Sequence, residues 1–234
     1  MSQRTRLEHL HELNSTLTPR QYKRKILFWN QTIRFSKLVK RIFDWLGALF
    51  CLLLLAPLFI LTAICIYLED PGPIFYSRNR VGKNGRLFCF FKFRSMVVDA
   101  AQLKTGLHEK NQSADGVIFK MKDDPRITGV GKIIRKFSID ELPQLYNVLI
   151  GDMSLVGPRP ALPGEVELYS LEQHKRLDVM PGITCLWQVS GRSEIPFTGQ
   201  VRLDIEYIKS SSLITDIHIL LKTIPAVLTG RGAY

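Results

Sequence analysis

The chain has 234 residues, 46% of them hydrophobic and 23% charged, a balance that supports a folded core and excludes wholesale disorder. Lys and Arg number 32 against 21 Asp and Glu, a net charge of +11 that favours anionic partners such as phosphates, anionic lipid or nucleic acid. The four cysteines, Cys51, Cys65, Cys89 and Cys185, form no CxxC pair, which argues against a disulfide scaffold or a cysteine zinc site and fits a reducing compartment.

Residues 1–36 form a mixed polar and basic arm. Its stretch RKILFWNQTIRF interleaves cations with Phe28, Trp29 and Phe35, the composition of an interfacial amphipathic segment. His9 and His11 in LEHLHEL are two residues apart, a spacing that keeps them off a common helical face and argues against a metal pair. From Leu46 to Leu68 the chain then runs 23 residues without Asp, Glu, Lys or Arg, long enough for a bilayer-embedded helix. Its position within the chain and the lack of a small-residue cleavage pattern argue against a removable signal. Pro57 stands at its centre, where the missing N–H and the ring's clash with the preceding turn divide it into halves of 11 residues. Each half is about 16 Å long, close to half of a roughly 30 Å hydrocarbon core. Lys37, Lys40 and Arg41 precede the run and Arg78, Arg80, Lys83 and Arg86 follow it, so the positive-inside bias points both ends to the cytoplasm. The pattern predicts a re-entrant helix-break-helix over residues 37–69, with the break at Pro57; the alternative is a single span kinked by proline.

Residues 70–234 read as a cytoplasmic domain. DPGP marks a turn, and IFYSRNRV, GKNG and RLFCFFKF predict a β-hairpin with a Gly-bounded turn. Between Pro71 and Val98 stand six cations and no acid, a composition suited to lipid headgroups, to a phosphate site, or to both. Residues 100–118 are polar and read as a loop. In KDDPRITGVGKIIRKFSIDELPQLYNVLIGDMSLVGPRP, Pro143 belongs in a first helical turn, which predicts a helix start near Ser138 to Asp140 and puts Asp140 and Glu141 at the positive end of its dipole. Ser138-x-x-Glu141 also has the spacing of a capping box, a purely structural reading of the same acids. Lys132, Arg135, Lys136 and Arg159 surround the pair in sequence, and a carboxylate kept ionised by cations and a metal ion can attack phosphorus. TGVGKI lacks the leading Gly and the Ser/Thr of a phosphate loop, no GxGxxG follows a strand, and RLFCFFKF lacks the glycines of an RNA-binding strand, so no nucleic acid is expected. Trp187 reads as a packing residue, and QVRLDIEYIKS and LITDIHILLKTIPAVL as amphipathic helices facing the core or a membrane.

Taken together, KRIFDW, the proline-broken apolar run, DPGPIFYSRNRVGKNGR, FKFRSM, DDPRIT, SIDELPQLYNVLIGDMSLVGPRP, PGIT and QVSGR resemble the bacterial sugar transferases, the monotopic polyprenyl-phosphate phosphoglycosyl transferases that begin lipid-linked glycan assembly. The resemblance runs from about Lys40 to Tyr234. It implies an α+β, membrane-monotopic protein with a small, mainly helical catalytic domain, a short β-hairpin and an added N-terminal arm, held at the cytoplasmic face of the bacterial inner membrane. It implies transfer of a sugar 1-phosphate from a UDP-sugar to undecaprenyl phosphate, the first membrane step of exopolysaccharide or other surface glycan assembly, with release of UMP. In that scheme Asp140 is the nucleophile and a ligand of Mg²⁺, Glu141 is its acidic partner, and Lys92, Arg135, Arg159 and Arg192 hold phosphates. Membrane lipid and downstream glycosyltransferases are the implied partners.

The chain departs from the family pattern at Ala56, where members often carry Ser before the central proline. It departs again at Cys185, Leu186, Trp187 and Ser190, where PGITGWAQVNGR is frequent. The closing IPAVLTGRGAY resembles exopolysaccharide members that use UDP-glucose or UDP-galactose. Two other classes compete on the residues alone. A membrane-anchored glycosyltransferase would release UDP and need no nucleophile at Asp140, and a noncatalytic membrane scaffold would use the acidic pair only as a helix cap.

Overall fold

The computed structural model describes residues 18–103 and 124–230. His9, His11, most of the polar stretch after residue 100 and the C-terminal Tyr234 lie outside the described residues. Helix α1 spans Pro19–Leu54, started by a capping box in which Thr18 and Gln21 exchange hydrogen bonds, with proline in the first turn where its missing N–H costs nothing. The helix continues without interruption past residue 36, so the described part of the basic arm and the first half of the apolar run form one rod of 36 residues, about 54 Å long.

The rod ends before Leu55, and α2 begins at Ala56 and runs to Glu69 at 60° to it. Pro57 does not itself occupy the break; it stands at the second position of α2. Its ring and missing N–H forbid the helical bond back to Leu53, so the chain turns upstream, at Leu55, and Phe59 N–H restarts the ladder on the Leu55 carbonyl at 3.0 Å. The two arms are therefore unequal, not halves of 11 residues. Among the described residues no single helix is long and apolar enough to cross a membrane, whereas the bent pair together has the length and composition.

Strands β1 (Phe75–Val81) and β2 (Leu87–Phe93) form the expected antiparallel hairpin, with Phe75 opposite Phe93 and Val81 opposite Leu87. The turn needs positive φ at Asn84 (57°) and Gly85 (78°), which an Asn-Gly pair tolerates. Side chains of β2 alternate, so Lys92 shares a face with buried Phe88 and Phe90.

Helix α3 (Gly129–Lys136) leads into a 3₁₀ turn over Ile139–Glu141, after which α4 (Gln144–Ile150) begins. The helix expected to start near Ser138 to Asp140 is thus displaced to Gln144. Pro143 cannot donate to the Ile139 carbonyl, so the backbone tightens to Glu141 N–H to Ser138 C=O (3.2 Å) and Leu142 N–H to Ile139 C=O (3.1 Å). The capping-box reading also fails. Ser138 sits in the left-handed region at φ 54° and its side chain makes no capping bond.

Two further strands, β3 (Ser154–Val156) and β4 (Gly182–Thr184), pair in parallel, and helices α5 (Phe197–Ser210) and α6 (Leu213–Thr229) complete the domain with three single-turn helices. The main core gathers Ala48 of α1, Phe88 and Phe90 of β2, Leu145 and Val148 of α4, Val156 of β3, Tyr207 of α5 and Ile219 of α6. Lys40 of α1 clips this assembly by reaching Asp216 of α6 at 2.6 Å, while the Tyr207 hydroxyl donates to the other carboxylate oxygen at 2.7 Å.

Candidate active site

Four of the predicted site residues converge where β2 passes the 3₁₀ turn. The Lys92 ammonium lies 2.7 Å from Glu141 Oε1 and 3.4 Å from Asp140 Oδ2, and Arg159 Nη1 donates to the same Glu141 oxygen at 3.0 Å. Lys92 arrives through strand alternation, its Nζ standing 5.6 Å above the Phe90 ring. Arg159 arrives from the GPRP loop that follows β3. The acids are consecutive residues of a tight turn, which lets one ammonium bridge both.

The two acids have different environments. For Glu141, burial works against charge, but Lys92 and Arg159 outweigh it and hold the carboxyl well below the usual range. For Asp140, burial dominates and the neighbouring Glu141 adds to it, so its carboxyl rises above the usual range although Lys92 and Arg135 pull the other way. Glu141 is thus a fixed anion consumed by two cations. Asp140 is the more basic of the pair, receives a single long contact on Oδ2, and its Oδ1 accepts no hydrogen bond among the described residues.

Arg192 approaches the same turn from the other side. Its Nη2 lies 3.5 Å from Ser138 Oγ, and its buried Nη1 finds no hydrogen-bond partner among the described residues. The backbone at Arg192 holds φ at 53°, an uncommon conformation for a long side chain that aims the guanidinium at the turn. A buried guanidinium nitrogen without an acceptor leaves one donor available to an anion. Arg135, in the last turn of α3, acts on Asp140 through its charge. Pro57 lies on α2, in the bent pair, apart from this cluster.

Two further residues shape the site: Arg80, which the sequence offered only as one cation of a basic cluster, and Asn147, which it did not single out. Arg80 of β1 donates to the Pro160 carbonyl at 3.2 Å, lies 5.3 Å over the Phe90 ring, and has its pKa lowered to about 10 by burial and by the neighbouring Arg159. The alternation of Arg78 and Arg80 along the strand was the available signal. Asn147, fully buried on α4, joins that helix to β2 by donating to the Cys89 carbonyl (2.7 Å) and accepting from Phe91 N–H (3.2 Å). Its only trace in sequence was a pair of amides, Gln144 and Asn147, three residues apart on the short helix α4.

Among the described residues no cluster of three or more His, Cys, Asp or Glu side chains could cage a metal. A divalent ion such as Mg²⁺ would instead be held by the Asp140 carboxylate together with substrate phosphates, and would supply positive charge to them.

Comparison with known proteins identifies relatives over most of the chain. The family described as bacterial sugar transferase matches residues 35–230. The chain is 52% identical over 204 residues to the galactosyl transferase CpsE of Streptococcus agalactiae serotype III, covering 86% of this chain and 44% of that protein. It is 42% identical over 198 residues to the exopolysaccharide production protein ExoY of Sinorhizobium fredii, covering 83% and 88%. It is 44% identical over 208 residues to the undecaprenyl-phosphate galactose phosphotransferase of Salmonella typhimurium, covering 88% and 44%. The chain therefore spans less than half the length of two of these relatives and most of the third. On the extent of the family match and these identities, the chain belongs to the bacterial sugar transferase family.

Proposed function

We propose that the protein transfers a hexose 1-phosphate from a UDP-sugar to undecaprenyl phosphate, forming undecaprenyl-diphosphate-sugar and UMP. The observation that carries this reading is the asymmetry of the acidic pair: Glu141 is bound by two cations, whereas Asp140 is more basic and has a free oxygen. The name of the Salmonella relative supports the acceptor and the phosphotransfer, and the names of two relatives support a galactose-type hexose.

In this reading Asp140 Oδ1 attacks the sugar-bearing phosphorus. The bond from that phosphorus to the bridging oxygen breaks, UMP leaves with the electron pair, and an aspartyl sugar-phosphate remains. The terminal phosphate oxygen of undecaprenyl phosphate then attacks the same phosphorus and returns the Asp140 carboxylate. Lys92 and Arg159 keep Glu141 in place and present positive charge to the diphosphate, and Arg192 offers its unpaired Nη1 to a phosphate oxygen. Mg²⁺, when bound at Asp140, would supply charge neutralisation at the diphosphate. Arg135 opposes the rise of the Asp140 pKa through its field.

The acceptor's phosphate lies at headgroup depth, and the bent helix pair suits a shallow anchor. Leu46, Phe50, Leu53, Leu54, Ile60 and Leu68 on it are between 54% and 75% exposed, a patch that water does not favour. We therefore place the pair as a re-entrant dip into the bacterial inner membrane, with the catalytic domain at the cytoplasmic face, and assign the product to exopolysaccharide or related surface glycan assembly. Purified protein in nanodiscs, given Mg²⁺, undecaprenyl phosphate and a panel of UDP-sugars, is expected to release UMP. Release of UDP would show that only the sugar moves and would remove the role of Asp140.

A further inference from the structure

The turn that carries Asp140 hangs between α3 and α4, and each of these helices is gripped at its far end by a different arm of the bent pair. On one side Glu69, the last residue of α2, accepts hydrogen bonds from the N–H groups of Gly129 (2.6 Å) and Val130 (2.8 Å). With Thr128, which accepts from Gly131 N–H at 2.9 Å, it satisfies the free donors of the first turn of α3. On the other side Arg41 of α1 donates to the carbonyls of Val148 (2.7 Å) and Leu149 (3.0 Å), which are among the last of α4.

Apolar packing follows the same division. Phe59 and Ile66 of α2 lie in one cluster with Val130 and Ile134 of α3 and Ile139 of the turn. Phe43, Ala48 and Leu52 of α1 lie in another with Leu145 and Val148 of α4. Neither Arg41 nor Glu69 is bonded to Lys92, Asp140, Glu141 or Arg159. Within the turn two i to i−3 bonds hold the backbone, and Lys92 and Arg159 hold its acids by their side chains. The backbone ends of the turn are set by the helices on either side.

We propose that Arg41 and Glu69 are positioning residues, and that the two arms form a frame whose bend sets the relation of α3 to α4 and so the place of Asp140 beside Lys92 and Glu141. The consequence for rate rests on the reaction proposed above; the consequence for the backbone does not. Misplacing a reacting group by about 1 Å can cost on the order of a hundredfold in rate.

The test uses full-length protein in nanodiscs and four variants, Glu69→Ala, Arg41→Ala, Glu69→Gln and Arg41→Lys. The last two retain an acceptor or a donor and guard against simple misfolding. Amide hydrogen exchange at Glu141 and Leu142 is expected to accelerate about tenfold or more in the alanine variants and less in the conservative ones. Exchange in the β1–β2 hairpin is expected to stay as in the wild type. Nucleotide release at saturating donor is expected to fall about 10- to 100-fold with the donor KM within about threefold. Unchanged exchange at the turn, equal acceleration of turn and hairpin, or a loosened turn with undiminished rate would each overturn the proposal. Wild-type release of UDP instead of UMP would refute the reaction and leave the exchange result to decide the frame.

Discussion

Replacing Lys92 with methionine tests the electrostatic core of the site. The ammonium stands 2.7 Å from Glu141 and 3.4 Å from Asp140, and the three side chains are 19%, 14% and 11% exposed. At an effective dielectric of 20 the two gross attractions are about 6 and 5 kcal/mol. Desolvation offsets most of that in the intact cluster, but removal of one partner leaves the other charges buried without it, at a cost of about 3–5 kcal/mol. Arg159 still holds Glu141, so the lower figure, about 3 kcal/mol, is the expectation. For a chain of this size that corresponds to a fall in Tm of about 6–12 °C.

The sign of the pH dependence follows from the groups involved. In the wild type the depressed Glu141 carboxyl contributes stability that is present above its unfolded-state pKa and lost as acid protonates it. In Lys92→Met both carboxyls move upward, so the loss of stability is greatest at pH 8 and shrinks as the pH falls and the acids are protonated. Thermal unfolding in nanodiscs at pH 8 and pH 5 measures this directly, with Lys92→Met/Asp140→Asn as the compensating variant. The double variant is expected to recover part of the loss at pH 8. A single variant as stable as the wild type at both pH values would refute the reasoning.

Other expectations follow from the same geometry. Asp140→Asn is expected to lose turnover by at least a thousandfold with little change in Tm, since the amide cannot act as the nucleophile; initial rates of nucleotide release measure it. Arg159→Lys keeps the charge but loses the planar fork, and a fall of about tenfold or more in kcat/KM is expected, read from the same assay. Asn147→Ala leaves the Cys89 carbonyl and Phe91 N–H without their partner and is expected to cost about 2–4 kcal/mol, seen as a lower midpoint in urea. Because burial raises the Asp140 pKa, the rate is expected to fall on the acid side at a pH above the ordinary carboxylate range, and Lys92→Met is expected to move that limb higher still.

The legible parts of the fold were those specified by neighbouring residues. The β1–β2 hairpin was readable because alternation and an Asn-Gly turn are local signals. The broken helix was readable from Pro57, but the position of the bend at Leu55 was not, because a proline disrupts the turn that precedes it. The same effect misled at Pro143, where an expected first helical turn became a 3₁₀ turn and placed both acids ahead of α4. The parallel pairing of β3 with β4 joins three-residue segments near residues 155 and 183, too short and too distant for any periodic signal. At the site, Asp140 and Glu141 stood out as acids in basic surroundings, whereas Lys92 was one of six cations between Pro71 and Val98 and was singled out among them only through the family resemblance. That it would bridge both carboxylates depends on strand register, and the roles of Asn147, Arg41 and Glu69 depend on contacts across 56 to 108 positions, which no local pattern encodes.

The most direct test of the central claim is the mass of the Asp140-containing peptide after the protein is mixed with Mg²⁺ and its UDP-sugar in the absence of undecaprenyl phosphate, then quenched in acid. An added sugar phosphate on Asp140 is expected, and it disappears when the lipid phosphate is supplied before quenching. An unmodified Asp140 under conditions where the complete mixture turns over, or an adduct on Glu141 instead, would contradict it.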